Sequence, residues 1–259
     1  LLHDPSPSGP IKGNIFSDPG IEVHSGIPPS LMPALLEVSE LSHGVPLPYA
    51  ALIDRLVWKS TDEHMFVDLL RRLKDEVSRE PVSDIIIAPS LGVGGAEKVA
   101  YWHYRLLKEG LQRNPLVVLA DKGRIEDKFS DLRVLSLLDL DDDQTPFVSK
   151  RGLPFLVKCI SSLVQFTQPE TVHVVQSYAG FGWIEALAAG SAPAASARLF
   201  ASFFCAHYHG DGVVDGYHLM IPYLEKVLHS YVSDNQYFIG EIRKQHGLRA
   251  ESCVALRYP

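Results

Sequence analysis

A mainly parallel α/β sheet with helices on both faces is the fold class that residues 81–259 predict, on three observations. Short, almost unbroken apolar runs recur along this stretch, as strands buried on both faces require. Segments with apolar residues at helical spacing separate them. The first apolar run ends in a glycine-rich turn that opens directly into a helix, the order expected of a βαβ unit.

Residues 1–80 read differently and are taken as an N-terminal extension. Nine of the 18 prolines fall in the first 48 residues. Proline removes amide donors and forbids long helices, so this part predicts an extended arm with short helical turns, serving as a linker or wrapping the next domain. From Ser60 the texture changes. Ser60 and Glu63 have capping-box spacing, and Phe66, Leu69, Leu70, Leu73 and Val77 follow a helical period, which predicts an amphipathic helix.

Each element of the domain follows from local pattern. Asp84-Ile85-Ile86-Ile87-Ala88 is the first strand, and a helix covers about 95–110. Strands are expected at 116–120 and 132–138, a helix at about 149–166, and a strand at 171–176. A helix at 182–189 leads to a strand at 199–206, and 217–229 reads as mostly helical. A short strand at 230–233, a helix at 234–246 and a closing strand at 254–257 complete the order. Alternation at this spacing implies βαβ crossovers and a mainly parallel, Rossmann-like sheet. No internal repeat of solenoid period is present.

Composition excludes several classes. The 259 residues carry 24 Lys and Arg against 31 Asp and Glu, a formal charge of −7, and no dense basic run. Electrostatic capture of nucleic acid is therefore not expected. Three widely spaced cysteines, Cys159, Cys205 and Cys253, do not make a disulfide framework, which points to a reducing, cytoplasmic setting. The apolar region 192–206 is short and carries Arg198, so it does not read as a membrane span. The chain opens Leu-Leu-His-Asp-Pro, without Met or a signal pattern, and is expected to be a segment of a longer protein.

The turn Pro89-Ser90-Leu91-Gly92-Val93-Gly94-Gly95-Ala96-Glu97-Lys98 is the first candidate site. Ligands of doubly wound sheets bind beyond the carboxyl ends of the strands. Glycines there let backbone approach a ligand, and the following helix offers amides and a positive dipole end. The turn is a poor dinucleotide fingerprint because position 97 is Glu, and it lacks the Gly-Lys-Ser/Thr ending of a phosphate loop. A plain tight turn is the structural alternative.

The stretch Ile-Ile-Ile-Ala-Pro-Ser-Leu-Gly-Val-Gly-Gly-Ala-Glu-Lys-Val resembles the first strand and turn of retaining glycosyltransferases of the group 1 (family 4) class, in which Gly-Gly-Ala-Glu follows the first strand. Pro169–Ser177, Leu199–Tyr208 and Tyr231–Asn235 resemble later landmarks of that family, and Val254–Pro259 resembles its linker strand. The resemblance covers roughly 84–259. It implies one half of a GT-B enzyme, the half that holds the acceptor. The donor-binding domain, with its paired glutamates, would lie beyond Pro259, so this segment alone is expected to be inactive. It also implies a nucleotide sugar as co-substrate, a glycan or lipid-linked acceptor, no metal or further cofactor, a role in polysaccharide biosynthesis, and peripheral membrane association of the full-length protein.

Residue by residue, the resemblance places a cleft-facing histidine at His207, with His209 as the second candidate, meeting the reacting sugar or the diphosphate leaving group. Gly92, Gly94, Gly95 and Glu97 would meet sugar or phosphate. Gln176, Ser177 and Tyr178 end a strand with amide, hydroxyl and phenol groups suited to a polyhydroxylated acceptor, and Asp211 is a further cleft candidate. Cys205, His207 and His209 alternate along a strand as zinc ligands would, but three such positions spread too far to converge. Trp183 is read as core rather than a stacking platform, Asp139–Asp143 as a solvated acidic loop, and Ser233 or Asp234 as a helix cap.

Two other functions compete. One is a non-catalytic sugar-binding or interaction module that kept the fold. The other is a nicotinamide- or nucleoside-dependent enzyme, for which Asp121 stands near the acidic position after the second strand but the glycine pattern is wrong.

Overall fold

The computed structural model describes residues 23–25, 57–92, 94–121, 125–140, 152–205, 207–208 and 214–256. The chain divides into two compact units, Leu1–Asp68 and Leu69–Pro259. In the first, β1 (Val23–Ser25) pairs antiparallel with β2 (Val57–Lys59). Helix α1 (Ser60–Ser78) follows β2 directly, and its Leu69, Leu73 and Val77 are buried.

The second unit is built on seven strands: β3 (Asp84–Ala88), β4 (Pro115–Leu119), β5 (Val134–Ser136), β6 (Thr171–Val175), β7 (Arg198–Ser202), β10 (Ser230–Ser233) and β11 (Cys253–Ala255). Between β7 and β10, β8 (His207–Tyr208) and β9 (Val214–Asp215) form a separate antiparallel pair. The spatial order of the large sheet is β11-β10-β7-β6-β3-β4-β5, and every pairing in it is parallel. The chain therefore starts in the middle, winds out to β5, then crosses back to β6 on the other side of β3. That reversal is the topological switch point of a Rossmann-like sheet, and ligands of such sheets bind beyond the carboxyl ends of the strands.

Helices cover both faces. On one, α2 (Gly95–Arg105) continues into a π-turn at Leu106–Gly110. Val99, Ala100, Tyr104 and Leu107 from this segment share a core with Ile86, Ala88, Val117, Leu119 and Val175 of the sheet. On the other, α3 (Leu153–Thr167) and α4 (Tyr178–Ala188) pack together. Strands β3 and β4 are buried at every position, which explains their unalternating apolar sequence. Shorter helices α5 (Ile221–Leu224) and α6 (Gln236–His246) complete the unit.

Several expected boundaries move. The helix placed at 182–189 begins at Tyr178, because Ser177 Oγ accepts from Gly180 N at 3.0 Å and starts the helix earlier than the apolar pattern suggests. The strand placed at 199–206 ends at Ser202; Phe203 N still donates to Val232 O of β10 at 2.8 Å, and Phe204 and Cys205 leave the sheet. The stretch 217–229 is a 3₁₀ turn (Tyr217–Met220) followed by one turn of α5, with Pro222 in the first turn of α5, where its missing amide costs no hydrogen bond. The cap of the last helix is Asn235, not Ser233 or Asp234: its Oδ1 accepts from Tyr237 N and Phe238 N.

Glycine is required at position 180. A Cβ there would lie 2.7 Å from Val174 Cγ1 and 3.1 Å from Ile87 Cγ2, so α4 rests directly on β6 and β3. Gly180→Ala is expected to lower unfolding stability by about 1–3 kcal/mol through overpacking. Chemical denaturation of the variant against the parent measures this.

Candidate functional site

Among the described residues, the carboxyl edge of the sheet carries two neighbouring clefts. The first, about 470 Å³, is lined by Gln176 and Tyr178 after β6, by Phe203, Phe204 and Cys205 after β7, and by residues 216–220. The second, about 940 Å³, is lined by Phe204 and Cys205 again, by Asp234–Tyr237 after β10, and by Ala255 of β11.

Local folding positions these groups. Gln176 follows β6 with φ of +49°, a left-handed conformation that is uncommon for a residue with a Cβ. It turns the chain out of the strand and into α4. Just beyond, Asp121 reaches over from the end of β4: its Oδ2 accepts from Tyr178 N and its Oδ1 from Ala179 N, both at 2.9 Å. With Ser177 accepting from Gly180 N, and Phe181 N donating to Ser177 O, the first four amides of α4 all have partners. The result is a pinned corner at the switch point, from which the Tyr178 side chain stands 62% exposed. Across the cleft, Gly216 has φ of +140°. The Tyr217 ring stacks on Phe181 at 4.3 Å, and the buried His218 ring meets Phe238 edge-on at 5.7 Å.

Of the residues singled out from sequence, Gln176 and Tyr178 come together in the first cleft. Ser177 is fully buried and spends its hydroxyl on the helix start. The glycine turn lies beyond β3, the strand next to β6, but lines neither cleft. It runs beside the loop after β4 instead, where Leu91 bridges Ile125. Gly94 is extended, with φ of 178°. Added Cβ atoms at Gly92 and Gly95 would meet only Ser90 Oγ at 3.9 Å and nothing within 4 Å, respectively, so packing within the chain does not demand glycine at either position. Glu97 bends back across the turn and its Oε1 accepts from Ser90 Oγ at 3.0 Å. Unlike α4 and α6, helix α2 begins without a side-chain cap. His207 sits in β8, its backbone paired with Asp215. His209 and Asp211 lie outside the described residues.

Trp183 is 1% exposed and belongs to the core, as read from the sequence. Among the described residues, no three His, Cys, Asp or Glu side chains are grouped as a metal site. No described helix is long and apolar enough to cross a membrane. All three cysteines are free thiols, Cys205 being the exposed one.

A polar chain that the sequence reading missed runs through the sheet. His173, 1% exposed in the middle of β6, faces His103 of α2 with Nδ1 to Nδ1 at 2.6 Å, and its Nε2 lies 2.7 Å from Ser202 Oγ. One facing Nδ1 carries hydrogen and the other accepts. The arrangement has the connectivity of an activated serine, but Ser202 is fully buried and lines neither cleft, so no substrate reaches it. Burial holds His103 down at about 4, against a weaker upward pull from Asp84, and burial together with His103 holds His173 well below its ordinary value. The lone imidazole in the apolar run Thr-Val-His-Val-Val was the available signal.

No protein-family model and no curated protein matches this sequence. Among solved structures, a glycosyltransferase from Rickettsia africae ESF-5 is similar, with a TM-score of 0.44 and 10% identity. The match covers 69% of this chain and 43% of that one, so this chain spans less than half of the neighbour's length.

Removing the Asp121 carboxylate strips two amides of their partners. Asp121→Ala should therefore cost about 1–2 kcal/mol of stability, as loss of a helix cap does, and Asp121→Asn less. Urea unfolding of both variants separates the two. For the histidine pair, the unfolded chain titrates near 6.5 and the folded chain lower, so between those values the unfolded state binds more protons and stability falls as pH drops. Going from pH 6.5 to about 4, His103 alone should remove roughly 3 kcal/mol, read as a falling melting temperature that His103→Asn flattens.

Proposed function

We propose that this chain is the acceptor-side half of a nucleotide-sugar-dependent GT-B glycosyltransferase of the group 1 type, acting with retention in polysaccharide biosynthesis. The observation that carries the reading is the cleft at the carboxyl edge, where Gln176 and Tyr178 stand together beside the switch point of the parallel sheet. An amide and a phenol are suited to sugar hydroxyls, and ligands of such sheets bind at this edge. The glycine turn supports the same reading. It follows the first strand of the domain, Gly92 and Gly95 have open space, and α2 begins without a side-chain cap from its N-cap residue, Gly94.

In this reading the acceptor lies against the carboxyl edge. His207, Gly94 and Glu97 meet the sugar and phosphates brought by a donor-binding domain, which supplies most of the nucleotide affinity. His209 and Asp211 are the further candidates for contact with the donor sugar, and Gly92 and Gly95 for contact with sugar or phosphate. The reaction takes a nucleotide sugar as co-substrate and no metal, in the cytoplasm or at its membrane surface.

A second reading, a sugar-binding or interaction module without turnover, is favoured by one observation: both clefts lie open on this chain alone, so a ligand can bind them without a donor domain. The nicotinamide reading loses its acidic residue, because Asp121 already accepts two helix amides.

The test joins this chain to its donor domain and measures sugar transfer from a panel of nucleotide sugars. Acceptor-dependent release of nucleoside diphosphate is expected. His207→Ala should lower kcat by about 100-fold with little change in melting temperature. Unchanged turnover removes His207 from the mechanism, and no transfer with any donor favours the binding module.

A further inference from the structure

We infer that the two clefts are adjoining subsites of one groove that receives an elongated carbohydrate, two or more sugar rings long, laid across the carboxyl edge from β6 to β11. The inference rests on the glycosyltransferase reading only for the kind of ligand. The groove itself rests on the geometry.

The first observation is continuity. Phe204 and Cys205 form a wall of both clefts, so the two spaces meet at one sill rather than lying on separate faces. The second is direction. Lining residues come from the ends of β6, β7, β10 and β11, four strands that are consecutive neighbours in the sheet. Three inter-strand steps of about 4.8 Å put roughly 14 Å between the outer ends, more than one sugar ring fills.

The third observation is the chemistry along that line. Tyr178 at the β6 end and Tyr237 at the β10 end are 62% and 84% exposed, two phenol rings available on either side of the sill. Carbohydrate rings present C–H faces to aromatic surfaces and hydroxyls around their rims. Side-chain amides answer the hydroxyls: Gln176 in the first cleft, Asn235 and Gln236 in the second. Asn235 uses its Oδ1 to cap α6, which holds the residue in place and leaves its amide nitrogen as a donor. A compact ligand would engage one tyrosine. A chain of sugars engages both.

The test uses the full chain and two series of glucose oligomers, α-linked and β-linked, from the monosaccharide to the tetrasaccharide. Ligand-observed NMR gives the affinities, and mass spectrometry gives the rate at which iodoacetamide alkylates Cys205, the exposed thiol on the sill. In at least one series, affinity should rise about ten-fold or more from one ring to three and then level off. The longer oligomers, but not glucose, should slow Cys205 alkylation several-fold. Tyr178→Ala and Tyr237→Ala, at exposed positions that leave folding intact, should each weaken the trisaccharide by about three- to ten-fold. Circular dichroism confirms that the variants are folded.

Affinity independent of length, or oligomer binding sensitive to only one tyrosine, overturns the groove and leaves the glycosyltransferase reading standing. Failure of every oligomer to bind overturns the groove, while the glycosyltransferase reading stands or falls on the transfer assay. Oligomer binding that leaves Cys205 fully reactive places the ligand elsewhere and also overturns the groove.

Discussion

A single buried carboxylate ties the sheet together at its amino edge. Asp84 opens the central strand β3 and is fully buried. Left alone there it would be intolerable, and three groups answer it. Arg113 Nε donates to Oδ2 at 2.6 Å, Ser83 Oγ donates to the same oxygen at 2.7 Å, and Thr171 Oγ1 donates to Oδ1 at 2.5 Å. Arg113 also pairs with Glu170, the residue before β6, and its bond to Asp84 pushes the guanidinium to hold its proton more tightly than usual. Since Asp84 is in register with both Pro115 of β4 and Thr171 of β6, this cluster aligns the starts of three neighbouring strands. A buried ion pair of this kind is costly to half-remove and specifies one arrangement over its neighbours. Four residues further along, the same alignment fixes where β3 and β6 end, and so where the switch point lies.

The architecture was readable because the strands are buried on both faces. Ile85-Ile86-Ile87 and Leu116-Val117-Val118-Leu119 have no solvent side, so their composition declares them. Alternation with helical segments then implied a parallel sheet, and the order of the sheet agrees. Boundaries were less legible, for local reasons. Ser177 starts α4 four residues before the apolar periodicity became visible, because a hydroxyl acting on one amide leaves little trace in composition. The run 199–206 reads as one strand, yet β7 ends at Ser202, the last sheet bond is made by Phe203 N, and Phe204 and Cys205 turn away to wall the clefts.

The candidate site was legible in part. Gln176 and Tyr178 were readable as the end of a strand, and the structure brings both to one cleft. What could not be read was the bend at Gln176, since nothing in an isolated glutamine announces a left-handed backbone. Contacts across long sequence separations were equally hidden. Asp121 lies 57 residues from Tyr178, and His173 lies 70 from His103. Such pairs are created by topology, and a single sequence carries no record of them. The glycine turn shows the opposite case: its motif was conspicuous, but the structure runs it along the β4 loop rather than into either cleft.

The corner at the start of α4 has an electrostatic consequence. A helix end of this kind attracts anions through its exposed amides and partial positive charge. Here the chain has brought its own anion: both Asp121 oxygens occupy the position, and Ser177 takes the next two amides with its hydroxyl and carbonyl oxygens. A diphosphate arriving there would meet like charge and no vacant donor. Next to β6 the protein is thus arranged to favour uncharged guests, and negative charge has to be neutralised away from that corner.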